Sequence, residues 1–177
     1  MRYFFIEKSK LAGTPPVISG SDAKHIRTVL RLKPEDSIRL FDNSGLNYEA
    51  RIIGFRSGNV ELALERQYES AAESKLHITV AQALLKDGKM DTIIRQLTEL
   101  GIKKWIPFAA ERSVPRIRKD RIHTRVERWK KIAAESVKQC GRGTVPEISM
   151  PISFEALLDS TDNIHRKILF WESESSI

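Results

Sequence analysis

The chain has 177 residues, a net charge of +7 and 41% apolar residues, a proportion that supports a hydrophobic core and excludes a disordered chain. No apolar run approaches the roughly 20 residues that a membrane helix needs, and the start MRYFFIEKSK lacks the pattern of a signal peptide. The single cysteine, Cys140, cannot form an internal disulfide, and the four histidines are too scattered for metal-ligand spacing. We therefore expect a cytoplasmic protein without a metal site, and the excess positive charge predicts an anionic partner.

The first 70 residues are typical of a small β-barrel. Turn sequences such as Asp42-Asn43-Ser44-Gly45 separate four strand-like stretches, which are RYFFIE, SIRLFDN, NYEARIIGF and NVELALERQ. One helix, DAKHIRTVLRL, interrupts them. Asp22 is its predicted N-cap, and Ile26, Val29 and Leu30 are predicted to face the core.

The same helix carries His25, Arg27 and Arg31. A histidine in such a position is more often packed or capping than catalytic. Arg31 has two open interpretations, which are binding a phosphate and pairing with Glu35 or Asp36.

After a linker around Ala71, the pattern changes to alternating strands and helices. LHITVAQALL is a predicted strand, MDTIIRQLTELG a helix with Met90, Ile93, Ile94, Leu97 and Leu100 on its apolar face, and KKWIPFAA a second strand. Gly101 is placed to end the helix in a left-handed conformation. A β-α-β unit of this length predicts parallel strands with a right-handed crossover.

The loop of this unit lies where open parallel sheets gather their functional residues, beyond the carboxyl ends of the strands. It contributes Gln82, Lys86, Asp87, Gly88 and Lys89. The spacing matches neither a Walker loop nor GxGxxG. Two interpretations are open: the loop forms the rim of a site, or it is a solvated connection in which Asp87 or Gly88 starts the helix.

Positive charge is concentrated between Arg112 and Lys131, where nine basic residues stand against two acidic ones. Most charge runs are solvated surfaces, but an excess confined to one segment favours nucleic acid. The segment leads into a predicted helix from about Lys119 to Gln139, and RKILFW is predicted to add a further strand to the sheet.

One face of that helix is polar and mostly cationic. Arg121, Arg128, Glu135 and Gln139 share it, and Arg142 would continue it if the helix ran on. A buried Glu135 could order Arg128 for a phosphate, whereas the alternative is an exposed, salt-bridged surface. On the opposite face, Trp129 is predicted to be a core residue rather than a platform for stacking bases.

Several blocks of the sequence carry a resemblance to a known family. They are HIRTVLRL followed by PED, QALLKDGKMD, QLTELGI, IPFAAERS and RWKKIAAESVKQCGRGTVPEI. In order and spacing, and over nearly all of the chain, they are similar to the RsmE family of 16S ribosomal RNA uridine-N3 methyltransferases. The resemblance implies an α/β protein in which a PUA-like RNA-binding β-barrel (residues 1–70) precedes a SPOUT methyltransferase domain (residues 71–177). It also implies S-adenosylmethionine as cofactor, 16S rRNA or the assembled small subunit as partner, and a homodimer when full length.

The resemblance marks a set of candidate site residues. The matched positions are Arg2, His25, Arg31, Gln82, Lys86, Met90, Glu99, Gly101, Glu111, Arg112, Arg128, Glu135, Gln139, Arg142 and Pro146. For catalysis we expect Arg112, Arg128 and Arg142 to position RNA or stabilise a uridine anion, and Glu135 to orient them. The expected RNA-binding residues are Arg2, His25, Arg27, Arg31, Lys86, Lys89, Arg116, Arg118, Arg121, Arg125 and Gln139. Gln82, Trp171 and Glu172 are expected to contact the edge of the cofactor, whose main site would lie beyond Ile177.

Family members continue with GPEGG and LGxRILRxETA segments, which build the knot and most of the cofactor site. Neither segment occurs in these 177 residues. We therefore expect a SPOUT domain that is incomplete at its C-terminus, and a chain that binds RNA better than cofactor. The rival hypothesis is a non-catalytic RNA-binding or ribosome-assembly module. Only cofactor binding separates the two, since both predict salt-sensitive RNA affinity.

Overall fold

A computed structural model describes residues 3–86, 88–111, 119–161 and 164–170. Two sheets organise the chain. The first contains β1 (Tyr3–Phe5), β2 (Val17–Ile18), β3 (Ser37–Phe41), β4 (Leu46–Arg56) and β5 (Asn59–Glu69) in the order β1-β3-β4-β5-β2. Neighbouring strands are antiparallel except β1 and β3, which are parallel. The four predicted strands are therefore confirmed.

The inner face of this sheet forms the first hydrophobic core. Side chains alternate along a strand, so every second residue of β3 and β4 points inward, as Ile38, Leu40, Ala50 and Ile52 do with full burial. Two register shifts between β4 and β5, at Glu49/Ala50 and Ile52/Gly54, mark β-bulges. Bulges increase local twist and bend a strand, which lets the sheet curl around its core.

Short helices pack against that core. They are α1 (Lys8–Leu11) and α2 (Gly20–Lys24), and α2 continues into a π-helical turn, His25–Val29. The predicted helix is confirmed, but its predicted N-cap is wrong. Ser19 is the N-cap, and Asp22 lies in the first turn and binds Lys138 of a later helix. The wider π turn also displaces Val29, which is 65% exposed, whereas Ile26 is buried as predicted.

The second sheet is entirely parallel. Strand β6 (Thr79–Ala83) pairs with β7 (Lys104–Ala109), and β7 pairs further with β8 (Glu147–Ile148) and β9 (Ile152–Ser153). Helix α3 (Lys89–Glu99) connects β6 to β7, α4 (Lys119–Cys140) follows β7, and α5 (Phe154–Ser160) follows β9. The predicted β-α-β unit and the long helix are confirmed.

Helix α3 buries Met90 and Ile94, and partly buries Ile93 and Leu97, as its periodicity predicts. Leu100 was predicted to be on this face but is 76% exposed, because it is the C-cap residue beyond the last turn of the helix. Gly101 then takes a φ of +94°, which confirms the predicted left-handed end of the helix.

Helix α4 packs on the same core through Val126, Trp129 and Ala133, each almost fully buried. The Trp129 ring meets Trp105 of β7 edge to face, with 5.1 Å between ring centroids. The prediction that Trp129 is a core residue is confirmed.

The predicted strand RKILFW is wrong over the part that the structure describes. Residues 166–170 have no regular secondary structure, and Ile168, Leu169 and Phe170 are 71%, 86% and 92% exposed. An apolar, β-branched run favours a strand, but a strand also needs a hydrogen-bonding partner. None of the described strands pairs with this segment.

Within the described ranges, no helix has the length and hydropathy needed to cross a membrane. The same residues contain no group of three or more histidine, cysteine, aspartate or glutamate side chains arranged to hold a metal ion.

Candidate functional site

The carboxyl edge of the parallel sheet is formed by the ends of β6 and β7. Strand β6 is followed by a short loop into α3, and β7 leads through Ala110 and Glu111 toward α4. Helix α3 therefore starts at this edge, and α4 passes the edge at Arg128, which contacts the first turn of α3. A helix N-terminus carries unpaired N–H groups and a partial positive charge, so the start of α3 favours anions at this edge even before the side chains are counted.

Arg128 of α4 is held at this edge by Asp91 in the first turn of α3. The Nε and Nη2 atoms of Arg128 both donate to Asp91 Oδ2, at 2.9 and 2.7 Å. The Asp91 side chain is 19% exposed and that of Arg128 is 67% exposed. One side of the guanidinium is therefore anchored, and the other side faces solvent.

Asp91 is a site residue that our sequence analysis missed, although it ends the block QALLKDGKMD. We expected Glu135 to order Arg128, and the structure contradicts that expectation. Glu135 is exposed and binds Lys138 at 3.0 Å. Seven residues of helix separate it from Arg128, about 10 Å along the axis, so a shared helix face did not bring the two side chains together.

Four other predicted cations lie in or beside the first turns of the two helices, α3 and α4. Arg121 and Arg125 occupy the first turns of α4, and Lys86 and Lys89 flank the start of α3. Within the described part of the chain these four form no ion pair. Lys130, by contrast, is bound to Glu127 at 2.8 Å. Unpaired cations next to two helix N-termini form a surface suited to phosphates.

Gln82 of β6 is half-buried at this edge, and its Nε2 donates to the carbonyl of Ala83 at 3.1 Å. Among the described residues no hydrogen bond reaches the amide oxygen of Gln82, which can therefore accept one. Several predicted site residues lie outside the described residues and are not placed: Arg2, Asp87, Arg112, Arg116, Arg118, Trp171 and Glu172.

The other end of α4 has a different environment, because it contacts the first sheet. Lys138 lies between Glu135 and Asp22, at 3.0 and 3.2 Å, and is mostly buried. Burial alone would lower the pKa of Lys138, but the two carboxylates outweigh it and raise the pKa above its usual value. This end of the helix therefore joins the two sheets.

The contact between the C-terminal end of α4, with the loop that follows it, and the first sheet is called the joint below. Arg142 belongs to this joint and not to an RNA-facing surface. The helix ends at Cys140, and Gly141, with a φ of +75°, turns the chain away from the polar face. Arg142 is 1% exposed. Its Nη1 and Nη2 donate to the carbonyls of Thr98 and Ile102 at 2.7 and 3.3 Å. The expectation that Arg142 positions RNA or stabilises a uridine anion is contradicted by this burial.

The partner of Arg142 is Glu73, in the segment that we interpreted as a linker. Glu73 accepts from Nε and Nη2 of Arg142 at 3.2 and 3.0 Å, and from the backbone N–H groups of Gly143 and Thr144, each at 3.0 Å. Lys103 binds the same carboxylate. The pKa of Glu73 is held below its usual value, because bonds from Arg142 and Lys103 outweigh the opposing effect of burial.

The loop after α4 also binds the first sheet through its backbone. Asn47 and Ser70 donate to the carbonyl of Gly141, and Val145 N donates to Asn43 Oδ1 at 2.7 Å. A Cβ on Gly143 would lie 2.9 to 3.1 Å from backbone atoms of the opposite turn. Gly143 of the CGRGT block thus allows two backbones to approach closely.

On the first sheet, His25, Arg27 and Arg31 are all exposed. Arg31 has a φ of +53°, and it does not pair with Glu35, which binds Arg51 at 2.7 Å instead. Among the described residues neither Arg27 nor Arg31 has an ion-pair partner. Their exposure leaves them available for RNA, and that role stays a prediction.

Two family models match the chain. The one described as an RNA methyltransferase domain matches residues 72–177, and the one described as an RNA methyltransferase PUA domain matches residues 18–64. Both bear out the predicted order of a PUA-like part followed by an α/β methyltransferase part. The predicted boundary between residues 70 and 71 stays a prediction.

Curated relatives include the ribosomal RNA small subunit methyltransferase E of Bacillus subtilis, which is 29% identical over 99% of this chain and 70% of that protein. The protein of the same name from Buchnera aphidicola is 28% identical over 86% of this chain and 60% of that protein. The chain thus spans less than two thirds of the Buchnera protein.

A solved relative shares the fold. It is a ribosomal RNA small subunit methyltransferase E from Neisseria gonorrhoeae bound to S-adenosyl methionine, with a TM-score of 0.79 and 28% identity over 90% of this chain and 65% of that chain. The predicted fold class, a PUA-like sheet followed by a SPOUT-type α/β domain, is confirmed. With a methyltransferase family model over more than half of its residues, the chain belongs to the RsmE family of RNA methyltransferases.

Proposed function

We propose that the protein methylates N3 of a uridine in 16S ribosomal RNA, with S-adenosylmethionine as the methyl donor. The observation that carries the proposal is the cation-rich carboxyl edge of a parallel sheet in the segment that matches the methyltransferase family, residues 72–177. The relatives' names support ribosomal RNA as the substrate.

The described residues fit one edge of a cofactor site. Bound S-adenosylmethionine supplies an electrophilic methyl group on sulfur. Gln82 offers a free amide oxygen at the sheet edge, where an amino group could donate to it. Leu85, three residues further on, is half-buried and provides apolar surface for a nucleoside, whereas Leu84 packs in the core. Trp171 and Glu172, the other predicted contacts, lie outside the described residues.

The protein's part in the chemistry is to favour the deprotonated uracil. Uracil N3 is a poor nucleophile while it carries its proton, and the anion left after deprotonation spreads onto O2 and O4. Arg128 can stabilise that anion, because Asp91 fixes its guanidinium while leaving N–H groups free toward solvent. Arg112, which lies outside the described residues, is proposed for the same role.

RNA binding comes from charge on both sheets. We call the carboxyl edge of the parallel sheet, where we propose the reaction, the reaction edge. The cations in or beside the first turns of its two helices are Arg121, Arg125, Lys86 and Lys89. On the first sheet, the surface is extended by His25, Arg27 and Arg31. Phosphate contacts of this kind fix the register of RNA and offset the cost of splaying the target uridine from its neighbours.

The test uses the full-length gene product beside the 177-residue chain. Calorimetry measures S-adenosylmethionine binding, and digestion of treated small subunits to nucleosides measures 3-methyluridine. We expect binding and product with the full-length protein. Failure of both proteins to bind the cofactor would overturn the methyltransferase proposal and leave a non-catalytic RNA-binding module.

A matched pair of variants tests the site. Arg128→Ala should lower kcat by about 100-fold, since a donor to the developing anion is lost. Arg51→Ala removes an arginine that is also ion-paired but lies on the first sheet, bound to Glu35 and Glu65, and should leave kcat unchanged. Equal activity of the two variants would remove Arg128 from the proposed mechanism. We also propose a homodimer for the full-length protein, to be measured by light scattering.

A further inference from the structure

A second site lies at the joint, away from the carboxyl edge. It is an open cleft of about 510 Å³ between the first sheet and the end of α4. Strands β1, β3, β4 and β5 line one wall with Tyr3, Arg39, Asn47 and Tyr68. The other wall runs from Gln139 to Gly141. Gln139 follows Arg128 by 11 residues, about 16 Å along the helix, so the cleft is separate from the proposed methylation site.

Three buried polar atoms of the cleft have no hydrogen-bond partner among the described residues: Arg39 Nε, Asn47 Oδ1 and Tyr68 Oη. Asn47 is the clearest case, because it is 1% exposed. Its Nδ2 donates to the carbonyl of Gly141, which fixes the amide so that Oδ1 is the unpaired acceptor. Most buried polar groups in proteins are hydrogen-bonded, so three unpaired ones in one cleft call for a further partner, either water or a ligand.

The other two atoms are donors. Tyr68 keeps its proton at neutral pH, because burial and the nearby Tyr3 hydroxyl raise its pKa to about 12. The Tyr3 hydroxyl lies near the Tyr68 hydroxyl, but the two do not meet the geometry of a hydrogen bond. Arg39 reaches Tyr3 and Glu49 with its terminal nitrogens at 3.5 and 3.4 Å, and its Nε stays unpaired. The cleft thus offers two donors and one acceptor.

This set favours a nucleobase over an anion. A phosphate has only acceptors, so it would satisfy Arg39 and Tyr68 but would be repelled by Asn47 Oδ1 and by Glu49. The pairing edge of a pyrimidine carries two acceptors and one donor, which complements the three atoms, whereas the edge of guanine carries one acceptor and two donors. The rings of Tyr3 and Tyr68 add aromatic surface, and Arg66 lies over the Tyr68 ring, 5.4 Å from its centroid.

We propose that this cleft binds one unstacked pyrimidine of the RNA, at a position other than the methylated uridine. The inference rests on the proposed function in so far as the chain must bind RNA. It assigns the joint a second task, which is to set the register of single-stranded RNA relative to the reaction edge.

The test measures affinity of the 177-residue chain for fluorescent adenine-flanked RNA heptamers whose central position holds uracil, cytosine, guanine or no base. We expect uracil and cytosine to bind more tightly than guanine and the abasic RNA. Tyr68→Phe removes one hydroxyl and should weaken uracil binding about fivefold, with abasic binding unchanged. Tyr48→Phe is the matched control, because Tyr48 is buried in the same sheet but donates to Asp42 at 3.1 Å.

A second variant tests the same site in case Tyr68→Phe does not fold. Arg66 is exposed on the rim of the cleft, so we expect Arg66→Gln to leave the core folded. It should also weaken binding of the uracil RNA more than that of the abasic RNA. Equal affinities for all four RNAs, or equal effects of Tyr68→Phe and Tyr48→Phe, would overturn the pyrimidine site while leaving the methylation proposal intact. Absence of cofactor binding in the full-length protein would overturn the methylation proposal and leave this site standing.

Discussion

The Glu73 carboxylate offers the sharpest test of how the joint is built. It accepts hydrogen bonds from Arg142, Lys103, Gly143 and Thr144, in a segment whose sequence indicated only a linker. Glu73→Ala removes all of these acceptors at once. The Arg142 guanidinium, 1% exposed, would then keep only two carbonyl partners and would be a buried charge without a counter-ion.

The expected cost follows from that environment. Removing one partner of a buried ion pair costs about 3–5 kcal/mol, because the remaining charge stays desolvated. The matched control is Glu65→Ala, which removes a carboxylate that binds Arg51 at 2.9 Å while 43% exposed. Exposed pairs contribute about 0–1 kcal/mol, so the control should change the free energy of unfolding little.

The assay is urea unfolding followed by circular dichroism at a series of pH values. Because the folded-state pKa of Glu73 lies below its usual 4.5, its contribution is present in full above that value and is lost as pH falls through the lowered pKa. The gap between the native protein and Glu73→Ala should therefore be largest at neutral pH and shrink in acid. A gap at pH 7 no larger than that of Glu65→Ala would refute the assigned role.

Three further predictions concern other contacts of the structure. Gly143→Ala should destabilise the protein by about 1–3 kcal/mol in urea unfolding, because its Cβ would meet backbone atoms at 2.9 to 3.1 Å. Gly88→Ala is the control, because a Cβ there would have nothing within 4 Å, and equal effects of the two changes would argue against a close approach. Arg121→Ala should lower RNA affinity and reduce the slope of log affinity against log salt by about 1, whereas Lys130→Ala, already paired with Glu127, should change the slope less in anisotropy titrations. Burial would raise the pKa of Asp42, but hydrogen bonds from Ser44 and Tyr48 outweigh it and lower the pKa. Asp42→Asn should therefore lower the melting temperature at neutral pH, and the difference from the native protein should vanish in acid. A difference in melting temperature that does not depend on pH would contradict the lowered pKa of Asp42.

Periodicity and turn chemistry predicted most elements because the signal is local. The alternation in β3 and β4 and the stripe of Val126, Trp129 and Ala133 on α4 each report which side is buried, and the structure confirms them. The errors fall where geometry departs from the ideal repeat. Val29 is exposed because a π turn changes the spacing, and Leu100 is exposed because the helix has already ended.

The site was harder to predict because its pairs are distant in sequence. Arg128 and Asp91 are 37 residues apart, and Arg142 and Glu73 are 69 apart. Helical spacing placed Arg128, Glu135 and Arg142 together, but spacing says nothing about which neighbouring element supplies a partner. One signal was available: Arg142 stands between Gly141 and Gly143, and two glycines around a charged residue favour a tight backbone approach over an exposed surface.

Helix α4 connects these findings, since its two ends have different tasks. Its 22 residues span about 33 Å, with Arg128 at the carboxyl edge, Arg121 and Arg125 in the turns before it, and Lys138 and the CGRGT loop in the joint. Its middle is fixed to the core by Trp129 and Ala133, so it can act as a rigid spacer. RNA held against the first sheet would therefore meet the reaction edge at a set distance, and the contacts of Glu73 and Arg142 maintain that distance because they lock the loop that ends the helix.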